Sequence, residues 1–415
     1  MKLIIAFIIL CFLIPTSVYA ETERSEIKVA FVRDGYLWTK IYHQEEKISA
    51  ERANYTGSPQ WSFDGSMLLY QKQGQNHSQN EIWVYDLQTK QHQQVFYDGI
   101  DAKWSPTDNI IAFKSNGVLN ISDLKEFYNI ALGVCDYEWQ PDGKGFIASS
   151  SAVLRPTGWT NTTLYSISIK EGYRNLKSLT DHVRELFVLP SELKKGDRSI
   201  MAINATDFSY SPDGKWISFI VSPTASMAMD SNMLSVISAD GKEFEAIDEI
   251  ILYLDDPKWA FKKNLLGYIA GGGRIVFGFR DKDLKVKELP SSTSLSLTPP
   301  NYAELGFTWI NDQALSVARV KESEWSNDPK KRPKPALYYI SMNGQRQERI
   351  SNPPEGYGDY QPKFLPPLQK ISWLRRTDIT GRGDVWIVDV DGKNAELWIK
   401  DVEDYTFFIK QNINY

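Results

Sequence analysis

Cysteine is almost missing from this chain: two in 415 residues, of which only Cys135 lies beyond the first twenty. No internal disulfide can form after residue 20, so a stapled scaffold is excluded. A basic surplus is missing as well, with 47 Lys and Arg against 52 Asp and Glu and a formal charge of −5. That balance argues against a nucleic-acid partner, whose binding domain carries clustered positive charge. Histidine is scarce: His43, His77, His92 and His182 are the only four, none in His-x-x-x-His spacing, and no Cys-x-x-Cys accompanies them. A zinc motif is therefore not expected. There is no Gly-x-Ser-x-Gly elbow, so no nucleophilic serine of the α/β-hydrolase kind is marked. After residue 20 no run of 18 apolar residues occurs, and no 3.6-residue apolar period lasts three turns, which leaves neither a membrane span nor a long amphipathic helix.

The start of the chain has its own character. A lysine at position 2, an apolar stretch over 3–15 and the small-residue ending Val18-Tyr19-Ala20 read as a secretory signal peptide cut after Ala20. Cys11 follows Leu10 rather than a small residue, so lipid anchoring through it is not expected. The expectation is an exported protein, secreted or held in the periplasm or cell envelope, with residues 21–415 as one unit.

Aromatic residues are abundant, with 13 Trp and 21 Tyr. Many of them mark a repeat. Gln60-Trp61-Ser62-Phe63-Asp64-Gly65 returns as Lys103-Trp104-Ser105-Pro106-Thr107-Asp108, as Glu138-Trp139-Gln140-Pro141-Asp142-Gly143 and as Ser209-Tyr210-Ser211-Pro212-Asp213-Gly214. Weaker copies open at Trp259, Trp309 and Phe364. An alternating apolar run follows each opening, and further strand-like runs follow that, separated by Asp-Gly and Asn-Gly turn signals. Gly271-Gly272-Gly273 reads as one such turn, between strand-like 265–269 and 275–279. Short antiparallel strands in units repeated along the chain specify a β-propeller. The N-terminal runs lack an opening strand, and Asp404-Tyr405-Thr406-Phe407-Phe408-Ile409 supplies a spare one at the other end, so the two should pair and close the ring. This gives an all-β fold of about eight four-stranded blades, or seven if the unit at Trp259 or Trp309 is misread. The Trp-Ser-Pro-Asp-Gly-like openings resemble the TolB-type, WD-repeat-like propeller repeat, and the likeness covers nearly all of 21–415.

In a propeller of this kind the opening strand is innermost. Three residues before each opening aromatic stand Ser58, Asp101, Asp136, Asp207, Asp256, Gly306, Gln361 and Asp404. Five carboxylates around a channel mouth would focus negative potential and attract a cation or a basic segment. Alternatively, an Asp at a strand start fixes backbone geometry. Long, non-repeating loops fall at 71–80, 150–161, 222–232, 321–335 and 375–382. Trp159 in the second, and Trp325 with Arg332 in the fourth, are candidate contacts for a partner. The functional expectation is a non-catalytic binding module that recognises a protein segment or glycan at the channel mouth. It needs no cofactor, with a divalent cation in the channel left open. The alternatives are a propeller-fold polysaccharide lyase or glycoside hydrolase using channel carboxylates, and a structural scaffold.

Overall fold

The computed structural model describes residues 27–409 apart from 75–78, 253, 274–277 and 292; the expected signal peptide lies outside the described residues. Eight antiparallel four-stranded sheets follow one another as the blades of a propeller. Blade 1 is split. Its innermost strand is Asp404–Ile409, followed outward by Ile27–Arg33, Tyr36–Ile41 and Gln44–Lys47. Val32 faces Asp404 and Ile27 faces Ile409, so the two ends of the chain close the ring as expected. Blades 2 to 8 open with innermost strands Gln60–Trp61, Ile100–Trp104, Asp136–Trp139, Asn204–Tyr210, Lys258–Trp259, Tyr302–Asn311 and Gly358–Leu365. The long gap between the openings at Trp139 and Tyr210 holds an extra hairpin, Glu192–Lys195 with Arg198–Met201. One expected pairing is corrected. In blade 6, Leu265–Ala270 pairs with Asp283–Glu288, and Phe279, at the end of the expected run, bridges to Ser323 of blade 7; residues 274–277 of that run lie outside the described residues. Among the described residues the only α-helix is the single turn Ala225–Ala228, and no helix is long and apolar enough to cross a membrane.

The apolar alternation of each strand buries side chains between blades. Eight clusters form in this way, one at each blade interface: Ala30, Val32 and Leu37 of blade 1 meet Leu68 and Tyr85 of blade 2, and Leu119 and Ile121 of blade 3 meet Tyr137 and Phe146 of blade 4. The turns after the openings at Trp61, Trp139 and Tyr210 are fixed by their own side chains. Asp213 accepts from the Ser211 hydroxyl at 2.7 Å and the Lys215 N–H at 3.0 Å, and Gly214 takes φ of +69°, a conformation that glycine adopts without strain. Asn264 of blade 6 reaches back to the same carboxylate at 3.0 Å. Burial works against the charge of Asp213, but these donors outweigh it and hold its pKa down at about 2.

A second device explains why the openings carry tryptophan. The indole N–H of Trp104 donates to Gln60 O at 3.1 Å, that of Trp139 to Lys103 O at 3.3 Å, that of Trp259 to Ser209 O at 3.1 Å and that of Trp309 to Lys258 O at 2.9 Å. Each bond runs from one blade to the blade before it. The residue whose carbonyl accepts often sends its own side chain the other way: Gln60 to Ala102 O at 2.9 Å, Lys103 to Tyr137 O at 2.8 Å and Lys258 to Phe307 O at 2.7 Å. Trp309 is 3% exposed. Replacing it with phenylalanine keeps a ring in the interface but removes the indole bond to the Lys258 carbonyl, so urea denaturation should register a loss of about 0.5–1.5 kcal/mol. A loss below about 0.3 kcal/mol would mean that the indole bond contributes nothing net.

Candidate functional site

The innermost strands begin, and the loops between second and third strands fall, on the same face of the disc. There the residue three before an opening aromatic does not simply continue the strand. Pairing with the second strand slips between Ile100 and Lys103, between Thr206 and Ser209 and between Tyr360 and Lys363. The bulged residues Asp101, Asp207 and Gln361 take φ of +53°, +58° and +53°. Aspartate tolerates this left-handed backbone better than most residues, so part of the Asp series follows from the bulge.

Asp101, Asp136 and Asp207, together with Ser58, line one open cavity of about 440 Å³ at the mouth over blades 2 to 5. Its remaining wall is largely polar, including Thr56, Gln60, Gln71 and Asn80. The three carboxyls have different surroundings. Lys114 Nζ lies 2.8 Å from Asp101 Oδ2, so Asp101 is an ion-paired carboxylate. Asp136 is half-buried, and its Oδ2 accepts the backbone N–H of Asp207 at 2.8 Å. Burial raises the pKa of Asp136, and the pull of Lys103 and Lys114 only partly offsets this. Asp207 is exposed and accepts from the Thr206 hydroxyl at 2.8 Å. Lys103 lies 2.7 Å from Glu138. Burial acts to lower the pKa of this lysine, but Glu138 and Asp136 outweigh it and leave the value raised.

Asp256 and Asp404 do not line this cavity. Desolvation in the enclosing channel, then Asp255 and Asp207, push Asp256 up. Its neighbour Asp255 holds the structural bonds, pairing with Lys258 at 2.5 Å and accepting the Phe307 N–H at 2.7 Å. Asp404 accepts from the Ser58 hydroxyl and, at 2.7 Å, from the Tyr405 N–H, which ties blade 1 to blade 2. Among the described residues no group of three or more His, Cys, Asp or Glu side chains is placed to hold a metal ion.

The loop candidates are placed differently from one another. Trp159 is exposed on a small hairpin, Leu154–Arg155 with Gly158–Trp159, in the loop of blade 4. Trp325 is not the exposed side chain its polar loop implies: it stacks on Phe279 with ring centroids 5.9 Å apart. Arg332 lies over the Trp325 ring at 3.8 Å and pairs with Asp378 at 2.5 Å, so both side chains brace the loop. Lys103 and Lys114 escaped notice in the sequence. Lys103 stands two residues after Asp101 in the repeat register, and counting in that register would have found it.

No family model matches this chain, and no curated protein matches it. Solved structures share its fold. They include a Mycobacterium tuberculosis puromycin-hydrolyzing peptidase, at 12% identity over 84% of this chain and 53% of that one, with a TM-score of 0.52. A dihydro-heme d1 dehydrogenase matches at 13% identity over 93% of this chain and 75% of that one, with a TM-score of 0.59. TolB from Acinetobacter baumannii matches at 13% identity over 92% of this chain and 66% of that one, with a TM-score of 0.37. The chain spans about half the length of the peptidase. At such identities the likeness is one of fold, and the eight-bladed propeller expected from the repeated openings is what the chain forms. The expectation of a non-catalytic binding module is corrected: the propellers matched at a TM-score above 0.5 include those of a peptidase and a dehydrogenase, and such rings serve catalytic proteins.

Proposed function

We propose that the chain is a glycoside hydrolase whose acid–base pair sits in the polar cavity at the channel mouth. The observation that carries this reading is the contrast between two carboxyls on adjacent blades that line that cavity. Burial raises the pKa of Asp136, which suits it to donate a proton, while Asp101 faces the ammonium of Lys114 at 2.8 Å. Environments that separate two carboxyls in this way divide the acid and base roles of glycoside hydrolysis. In this reading Asp136 protonates the leaving oxygen, and Asp101 attacks the sugar or activates water. Asp207 fixes Asp136 through its backbone N–H. The substrate is a neutral saccharide, because the carboxylates at the mouth would repel an anionic polymer and the amide and hydroxyl groups of the wall suit sugar hydroxyls.

The test is release of reducing ends from a panel of neutral polysaccharides, followed by single variants on the best substrate. Asp136→Asn should lower the rate by about 10²–10⁴-fold. With a 4-nitrophenyl glycoside, whose leaving group needs no proton, the same variant should lose far less, whereas Asp101→Asn should abolish both activities. No turnover on any neutral saccharide, or full activity in Asp136→Asn, overturns the assignment. A stability readout accompanies it. An acid whose pKa is raised by folding favours the fold below the ordinary carboxylate range and loses that contribution as pH rises through the raised value. Ionisation of Asp136 therefore weighs against the fold as the pH rises. Asp136→Asn should melt at a higher temperature than the parent at pH 7, and the gap should shrink as the pH falls towards 4.

A further inference from the structure

The other half of the mouth has the opposite chemistry. A cavity of about 540 Å³ extends over blades 5 to 8, within the usual size of a small-molecule site. Its wall is mainly Ile251, Leu252, Leu254, Leu305, Tyr360 and Ile379, with the guanidinium of Arg376 also lining it. We propose that this cavity binds a monocarboxylate carried on an aliphatic or aromatic body, with the carboxylate received by Arg376.

Arg376 is 7% exposed and has no ion pair among the described residues. Its Nη1 donates to Gly381 O at 3.2 Å and its Nη2 donates to Ile379 O, while its Nε has no partner among the described residues. The face of Tyr360 lies 5.0 Å away. The carboxylates in the neighbourhood have other partners: Glu403, which lines the cavity, accepts the Gly35 N–H at 3.2 Å, Asp378 pairs with Arg332 at 2.5 Å, and Asp404 accepts from Ser58 and Tyr405. Burial pushes the guanidinium below its ordinary pKa, as expected where no counter-charge is in contact. A buried charge without a partner is costly, and an anion entering the cavity would relieve it. The planar fork of arginine suits a carboxylate in particular. A phosphate would call for more donors, and the second guanidinium at the rim, that of Arg382, is already held by Asp34 at 2.7 Å and Asp401 at 2.9 Å. The apolar wall takes the rest of the molecule.

The inference does not depend on the hydrolase reading, since a probe without a glycosidic bond tests it alone. Calorimetric titration of the full chain with 4-phenylbutyrate and with 4-phenylbutyramide compares an acid with its neutral isostere. The acid should bind at least about ten-fold more tightly than the amide. Arg376→Gln should remove that preference, leaving acid and amide equal. Because Arg376 also holds the loop at 379–381, a second variant, Ile379→Trp, fills the cavity from its wall. It should abolish binding of both probes and leave the melting temperature within about 1 °C of the parent. Equal binding of acid and amide by the parent chain overturns the proposal. So does an undiminished preference in Arg376→Gln, or binding that survives in Ile379→Trp.

Discussion

Replacing Arg319 with methionine is expected to lower folding stability by about 3–5 kcal/mol at neutral pH, because it leaves a buried carboxylate without its partner. The pair is enclosed in blade 7, with side-chain exposures of 3% for Arg319 and 0% for Glu304. The guanidinium meets Glu304 Oε1 at 2.6 and 2.7 Å, and the Thr298 hydroxyl adds a bond of 3.1 Å to the same oxygen. Burial raises the pKa of Glu304, and Arg319 only partly offsets it. Without the arginine, the carboxyl can stay in place only by taking up a proton, so the loss should shrink as the pH is lowered towards 5. The double variant Arg319→Met with Glu304→Leu should recover most of the stability, since a well-packed apolar pair commonly replaces a buried ion pair without loss. Urea denaturation of the parent, both single variants and the double variant measures the whole cycle. A cost below about 1 kcal/mol for Arg319→Met would show that the pair is relaxed or hydrated in solution.

A chain ended after Glu403 is expected not to reach a cooperative native state at all. The missing segment is the innermost strand of blade 1, in register with Ile27–Arg33 over six pairs. It also carries Tyr405, which is fully buried and donates to the Ser372 hydroxyl of blade 8 at 3.0 Å. Its loss would open the edge of Ile27–Arg33, a strand whose Val29, Ala30 and Phe31 are all fully buried in the intact ring. An exposed apolar strand edge is a template for association with other chains. The shortened chain should show no sharp thermal transition and should elute as aggregate in size-exclusion chromatography. The control is a rearranged chain in which residues 404–409 precede Ile27 through a short turn; Ile409 already faces Ile27, so the two segments become a hairpin. That chain should fold and melt near the parent temperature. A folded monomer from the shortened chain would show that blade 1 stands without its inner strand.

The architecture was legible because the repeat has a physical cause that leaves a mark at one position. An opening tryptophan serves both as ring and as donor to the preceding blade, so Trp104, Trp139, Trp259 and Trp309 recur where the interface needs them. The register of the Asp series was legible on the same ground, and it brought Asp101, Asp136 and Asp207 into one cavity. Distinctions within the series were not. Which carboxyl is paired and which is desolvated depends on Lys114, which lies on the second strand of its blade, and on the slip of the inner strand. The cavity containing Arg376 left no mark either. Its wall joins the openings of blades 7 and 8 to the link after blade 5 and the loop at 379–382, and these last two do not repeat. Trp325 was misjudged because its neighbours in sequence are polar, while its neighbour in space is Phe279.

The indole and amine bonds that run between openings are not present at every interface. They fasten blades 2 to 3, 3 to 4, 5 to 6 and 6 to 7, and Lys363 joins blade 8 to blade 1 through Tyr405 O at 2.5 Å. At the other three junctions the opening residue offers no such bond. Tyr210 and Phe364 have no indole, and the indole nitrogen of Trp61 is buried without a partner among the described residues. The hoop is therefore fastened as three arcs, blades 2 to 4, blades 5 to 7 and blades 8 with 1, meeting at three plainer seams. The seam between blades 4 and 5 passes through the polar cavity, where the Asp207 N–H reaches across to Asp136. Of the proposed acid–base pair, Asp136 thus stands at a joint where the ring lacks one of its fasteners, while Asp101 lies across a fastened one.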